Sequence, residues 1–183
     1  MASMCFSARV ALPNQVEHEA QLSWGAIGWG TPAILGNCIA EPDKRCLIIC
    51  GEGGHQMTAT ELGTFERYGA TPIFIVVNNG GYLAERVTNR FPDEDYNDIP
   101  SWNFANLPNQ LGCNWYTRRV TTIGELESAL CEAGDVKTGV YIEVVVPSDR
   151  IPKGCDFLFN ATGKQFEQPD RTWDTRKSTS HRL

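Results

Sequence analysis

Short, almost wholly apolar runs alternate along the chain with segments in which apolar residues return at helical spacing. Arg45–Cys50 (RCLIIC), Pro72–Val77 (PIFIVV) and Gly139–Val146 (GVYIEVVV) are of the first kind, bounded by charge, proline or glycine. Runs without polar alternation suit strands buried on both faces, as in parallel sheets. Gln56–Tyr68 returns Met57, Leu62, Phe65 and Tyr68 near helical spacing, and Thr122–Ala133 opens with hydroxyls followed by Glu125, a capping pattern. Ser23–Ala40, rich in small residues, predicts a helix packed closely on a sheet behind a glycine-containing turn. The alternation of strand and helix predicts an α/β fold with a mostly parallel sheet flanked by helices.

The segment Tyr82–Pro108 has no strong periodicity, and so long a connection in a compact domain is usually functional. Beyond residue 152 the chain turns polar, so a domain over 1–152 and a C-terminal tail over 153–183 are expected. A net charge of −6 over 183 residues, without a basic run, excludes nucleic acid or an anionic membrane as the main partner. The seven cysteines, at 5, 38, 46, 50, 113, 131 and 155, show no zinc spacing and are expected as reduced, mostly buried thiols in a cytoplasmic setting. No apolar stretch is long enough to span a membrane, and a secretory signal is not expected at the N-terminus. The terminal SHRL is a weak match to a peroxisomal address.

Chemistry is expected where the first two strands end. Ile49–Met57 reads ICGEGGHQM and Val76–Glu85 reads VVNNGGYLAE. Ligands of open α/β sheets bind outside the carboxyl ends of the strands. Gly51, Gly53 and Gly54 permit close backbone approach, and a helix expected to begin near His55 would aim its free N–H groups at a phosphate. No GxGxxG or GxxxxGK[ST] is present, which excludes a dinucleotide fingerprint and a P-loop. Glu52 beside a phosphate calls for a cation between them, with Asn78 and Asn79 as neutral oxygen donors; the alternative is that Asn-Asn-Gly-Gly is only a turn.

Taken together, these stretches resemble the thiamine-diphosphate-dependent 2-oxo acid decarboxylases, whose diphosphate-binding domain carries GDG, a spacer and then NN. Here GEG stands at 51–53 and NN at 78–79. The likeness continues through SWGAIGW at 23–29, EGGHQMTATELGT at 52–64, NNGGYLAER at 78–86, YNDIPSWNF at 96–104 and IEVVVP at 142–147, typical of the pyruvate and indolepyruvate branch. It implies a thiamine-diphosphate-binding fold, thiamine diphosphate and Mg2+ as cofactors, and a small 2-oxo acid converted to an aldehyde and carbon dioxide. It implies Glu52, Asn79 and the Gly81 carbonyl as metal ligands, with Gly51, Gly53 and Gly54 beside the diphosphate and Tyr82 near the cofactor. It further implies Ile27 as the wedge that bends the cofactor, Gly25 as acceptor for the pyrimidine amino group, and Glu85 as the catalytic carboxyl. A carboxyl in an apolar, closing site can donate a proton near neutrality. His55 falls where the family varies and is expected as a helix-start residue. Tyr82, Tyr96, Trp102 and Phe104 either shape a pocket or pack the domain.

Three departures from the family pattern stand out. Glu52 replaces the metal-binding Asp and adds a methylene to a site whose Mg–O distances are held near ~2.0–2.1 Å. Gly54 replaces Ser or Ala. The pyrimidine-binding domain, which supplies the activating glutamate, has no counterpart in these 183 residues. The partners expected are therefore that domain or subunit and further copies, as a dimer or larger oligomer. The alternatives are a non-catalytic regulatory or scaffold subunit and a carboligating synthase using the same cofactor.

Overall fold

The computed structural model describes residues 10–21, 23–88, 93–148 and 150. These divide into two compact units: residues 10–78 with 101–146, and residues 79–100 with 147, 148 and 150. The expected tail over 153–183 lies outside the described residues. No described helix is long and apolar enough to cross a membrane.

The first unit is built on four parallel strands, β1 (Leu47–Gly51), β2 (Ile73–Asn78), β3 (Tyr116–Val120) and β4 (Val140–Val145), in the order β1-β2-β4-β3. Helix α1 (Gly30–Ala40) precedes β1. Between β1 and β2 lie α2 (Glu52–Gln56), a 3-10 turn (Ala59–Glu61) and α3 (Leu62–Arg67). The second unit holds α4 (Leu83–Thr88) and a 3-10 turn (Asp95–Asn97). The chain returns to the first unit through a 3-10 turn (Phe104–Asn106) and α5 (Leu107–Gln110), and α6 (Ile123–Asp135) joins β3 to β4.

The expected α/β class and parallel sheet are both present, and the differences have local causes. The helix expected over Ser23–Ala40 begins only at Gly30, because Gly25 and Gly28 adopt positive φ and turn the chain. The helix expected over Gln56–Tyr68 is broken near Thr58, whose backbone (φ −138°, ψ 21°) leaves the helical region. Strand β3 was not expected: in YTRRV the two arginines are exposed, and an edge strand tolerates charge where a central one does not. The capping box of α6 forms as read, with Thr122 Oγ1 accepting from Glu125 N–H (3.3 Å) and the Glu125 carboxylate accepting from Thr122 N–H (3.1 Å). The Thr121 N–H, bonded to the same carboxylate at 2.7 Å, helps hold its pKa below the ordinary value.

The main core gathers Phe65, Phe74, Phe104, Trp115 and Tyr141 on one side of the sheet, while Val120, Ala129, Ala133, Val140 and Ile142 form a second cluster under α6. The Phe65 and Phe74 rings meet edge-on at 5.4 Å, an arrangement favoured by aromatic quadrupoles. Phe104 therefore packs the domain rather than lining a pocket. Among the described cysteines, all reduced, only Cys113 is fully buried; Cys38, Cys46 and Cys50 are half-buried and Cys131 is exposed, so "mostly buried" holds only in part.

Trp115 lies flat against the backbone of Gly139, and a β-carbon there would fall 2.3 Å from two indole atoms. Gly139→Ala is expected to destabilise the fold by roughly 1–3 kcal/mol or more, because the rigid indole has to leave its place in the core. Thermal denaturation checks this, and Trp115→Leu in the Gly139→Ala background is expected to recover part of the loss.

Candidate functional site

The GEGG motif is a junction rather than a loop. Strand β1 runs to Gly51 and α2 starts at Glu52, so Gly53, Gly54 and His55 are helical, and the helix start expected near His55 is three residues too late. Gly51 has φ −84° and ψ 150°, accessible to any residue, and a β-carbon added to it meets nothing within 4 Å. Neither backbone conformation nor packing within the chain requires glycine at this strand end.

The turn before α1 lies against this junction. Gly28 (φ +85°) rests on Met57 and Thr58, where an added β-carbon would come within 2.9 Å of Met57 Cβ. Thr58 Oγ1 donates to the Gly28 carbonyl at 2.8 Å. A β-carbon on Gly54 would make ordinary contact with Ile27 Cβ at 3.8 Å, which places the predicted wedge residue directly beside the glycine motif. Ile27 is 55% exposed and its neighbours Trp24 and Met57 are exposed as well. Gly25 (φ +59°) also faces open space. The first unit thus sets Ile27 beside the junction of Gly51, Glu52, Gly53 and Gly54 at the carboxyl end of β1, with Gly25 two residues earlier in the chain.

Beneath this surface lie buried polar groups. Glu52 is 3% exposed; burial, with the Glu52 charge adding to it, pushes the Cys50 thiol up to about 12. His55 lies inside α2 rather than at its start and is 1% exposed: its Nδ1 shares a hydrogen bond with Thr31 Oγ1 (2.9 Å), and its ring lies 5.6 Å from Phe74 and 5.7 Å from Tyr141. Burial lowers its pKa to about 4, which keeps the imidazole neutral. At the end of β2, Asn78 Nδ2 donates to Glu143 Oε1 at 2.7 Å. The His55–Thr31 pair and Glu143 were missed in the sequence, although Glu143 signalled itself as the single charge in an otherwise apolar strand.

The second unit holds the other predicted residues. Asn79 and Tyr82 are half-buried, Gly81 is buried, and Glu85 is exposed on α4. Gly80 (φ +74°) turns the chain, and a β-carbon on Gly81 would come within 2.9 Å of the Arg86 guanidinium and 3.2 Å of the Asn97 carbonyl. Tyr82 N–H donates to that same carbonyl (3.1 Å), and Arg86 pairs with Asp98. Tyr96 is exposed. Among the described residues no three His, Cys, Asp or Glu side chains cluster as metal ligands.

Residues 3–144 match the family model described as thiamine pyrophosphate enzyme, C-terminal TPP binding domain. Alpha-keto-acid decarboxylase of Mycobacterium tuberculosis (strain ATCC 25618 / H37Rv) is 42% identical over 144 residues, covering 78% of this chain and 26% of the relative. The protein of that name from Mycobacterium ulcerans (strain Agy99) is 40% identical over 149 residues, covering 80% and 26%. Among solved structures, the Rhodococcus jostii RHA1 thiamine diphosphate-dependent 4-hydroxybenzoylformate decarboxylase superposes with a TM-score of 0.61 at 26% identity, covering 67% of this chain and 24% of that one. The chain spans about a quarter of the length of the curated relatives it matches.

The buried imidazole carries a pH signature. The unfolded chain takes up a proton at His55 near pH 6.5, whereas the folded chain refuses it until about pH 4. Stability is therefore expected to fall as the pH drops through that window, by up to about 3 kcal/mol. Urea denaturation at pH 7 and pH 4.5, compared between the native sequence and His55→Leu, checks this; the substitution is expected to remove most of His55's share of the pH dependence.

Proposed function

Because the chain belongs to the thiamine pyrophosphate enzymes, as their C-terminal cofactor-binding domain, we propose that it seats the diphosphate of thiamine diphosphate through Mg2+ for the decarboxylation of a 2-oxo acid. The observation that carries this reading is Gly51. Its conformation suits any residue and its β-carbon position is empty, so glycine there answers to something that approaches the backbone from outside the chain.

The donor chemistry suits Mg2+: in this reading Glu52 of the first unit would offer a carboxylate, and Asn79 and Gly81 of the second an amide oxygen and a main-chain carbonyl, all of them the hard oxygen atoms that Mg2+ prefers. The carboxylate is already buried, so its desolvation is met on folding and a cation gains from meeting it there. Bound at this place, thiamine diphosphate supplies the ring that accepts the electrons of the breaking carbon–carboxylate bond. The protein's part is to hold and orient. Gly51, Gly53 and Gly54 would bring main-chain N–H groups toward the diphosphate, Ile27 offers an apolar edge beside Gly54, and the Gly25 carbonyl would accept a hydrogen bond from the aminopyrimidine.

Glu85 is the proton donor in this reading, with Tyr82 beside the cofactor. Glu85 is exposed on α4 among the described residues, so in this reading its apolar cover comes from polypeptide outside them. The relatives are about three times as long, and that further length is where a pyrimidine-binding domain and its activating glutamate are to be sought. Sites of this kind form between domains or subunits, which makes a dimer or larger assembly part of the proposal.

Gly51→Ala separates fold from function. In the complete protein it is expected to leave stability within about 1 kcal/mol or raise it, while weakening Mg2+-dependent thiamine diphosphate binding at least ~10-fold by calorimetry. Binding equal to the native protein's would contradict the reading, and a native protein that binds no cofactor would favour the scaffold alternative. Glu85→Gln is expected to leave cofactor affinity unchanged and lower kcat by about 10²–10⁴-fold.

A further inference from the structure

We propose that Glu143 is a positioning residue of the candidate site, a buried carboxylate that fixes Asn78 and, through it, the start of the Asn79-Gly80-Gly81 segment. The inference rests on the reading of function given above and deepens it. Glu143 sits in the middle of β4, whose other residues are Val140, Tyr141, Ile142, Val144 and Val145, and it is only 2% exposed. A carboxylate in such surroundings is not retained for stability, because a well-packed apolar residue of similar size serves the fold as well or better.

What Glu143 does is join three separate segments. Its Oε1 accepts from Asn78 Nδ2 at 2.7 Å at the end of β2. Its Oε2 accepts from the Ala105 N–H at 3.1 Å, in the 3-10 turn that enters α5. Arg119 Nε on β3 lies 3.7 Å from Oε1 and offsets the charge. The sheet register makes this possible: Asn78 pairs with Val145, and Glu143, two residues earlier on β4, points to the same face.

Asn78 is consequently held twice. Its carbonyl accepts from the Val146 N–H at 2.9 Å, and its side chain is fixed by Glu143. The next residue in the chain is Asn79, which the proposed metal site uses, followed by Gly80 at positive φ. A flexible glycine pair starting from a loose strand end would place a metal ligand poorly; starting from a residue clamped at both side chain and main chain, the amide of Asn79 is delivered with little freedom. Supports of this kind govern metal affinity without touching the metal.

The test uses the complete protein with thiamine diphosphate and Mg2+, reading cofactor Kd by calorimetry and amide exchange of the peptide spanning 78–82. Glu143→Gln leaves one acceptor for two donors, so Kd is expected to rise at least ~10-fold and exchange to quicken by about the same factor. Asn78→Asp sets two carboxylates together and is expected to do worse. Combining the two reverses the hydrogen bond, with the glutamine amide donating to the new carboxylate and its oxygen still serving Ala105, and is expected to bring Kd back within about 3-fold of native. Native Kd and native exchange in Glu143→Gln would overturn the inference while leaving the functional reading intact. Should Glu143→Gln fail to fold, the double variant decides: a restored fold without restored affinity would make Glu143 merely structural. A native protein that binds no thiamine diphosphate overturns the functional reading, and this inference with it.

Discussion

The parallel register of β1, β2 and β4 is the constraint on which the rest depends. Gly51 stands opposite Val77, and Asn78 stands opposite Val145, so the last residues of three strands are set side by side by main-chain hydrogen bonds alone. Parallel strands all end at the same edge, and that edge carries the GEGG junction, the first asparagine of the NN pair and the buried carboxylate of β4. A one-residue slip would turn Asn78 away from Glu143 and Phe74 out of the core. Trp115 against Gly139, with Phe65 and Phe74 packed beside it, holds that register from one side of the sheet.

Three polar side chains are buried near this edge, each kept for a different physical reason. His55 stays neutral and bonds Thr31, which ties α2 to the start of α1. Glu52 is buried as the first residue of a helix, where the positive end of the peptide dipoles favours a negative charge and a cation would favour it more. Glu143 satisfies donors from two other segments and lies near an arginine. Among the described residues the other buried polar side chains are Thr31, the partner of His55, and Asn97 in the second unit. Concentrating buried polarity at one end of a sheet is the pattern of a site supported from beneath.

Much of the fold was legible because RCLIIC, PIFIVV and GVYIEVVV are short, almost wholly apolar runs of the kind that suits strands buried on both faces. The capping box at Thr122 was legible for the same reason: a local hydrogen-bond pattern writes itself into adjacent residues. Strand β3 was not, since Arg118 and Arg119 face solvent and leave no apolar run to read. Nor was the break between α2 and α3, which depends on Thr58 reaching the Gly28 carbonyl, thirty residues away in sequence. In the candidate site, a carboxylate between glycines drew notice to Glu52 and to the Asn78–Asn79 pair, while the choice of Asn79 and the roles of Glu52, Ile27 and Gly25 came from resemblance. The roles of His55 and Glu143 were hidden because each depends on a partner that sequence separation conceals, Thr31 in one case and Asn78 in the other.

The central claim is that the carboxyl end of β1 seats a metal-bound diphosphate. The most direct measurement is a crystal structure of the complete protein grown with thiamine diphosphate and Mg2+. The diphosphate is expected against the backbone of Gly51 through Gly54, with a cation beside the carboxylate of Glu52. Cofactor bound elsewhere, with the space beside Gly51 still open and Glu52 turned away from any cation, would contradict it.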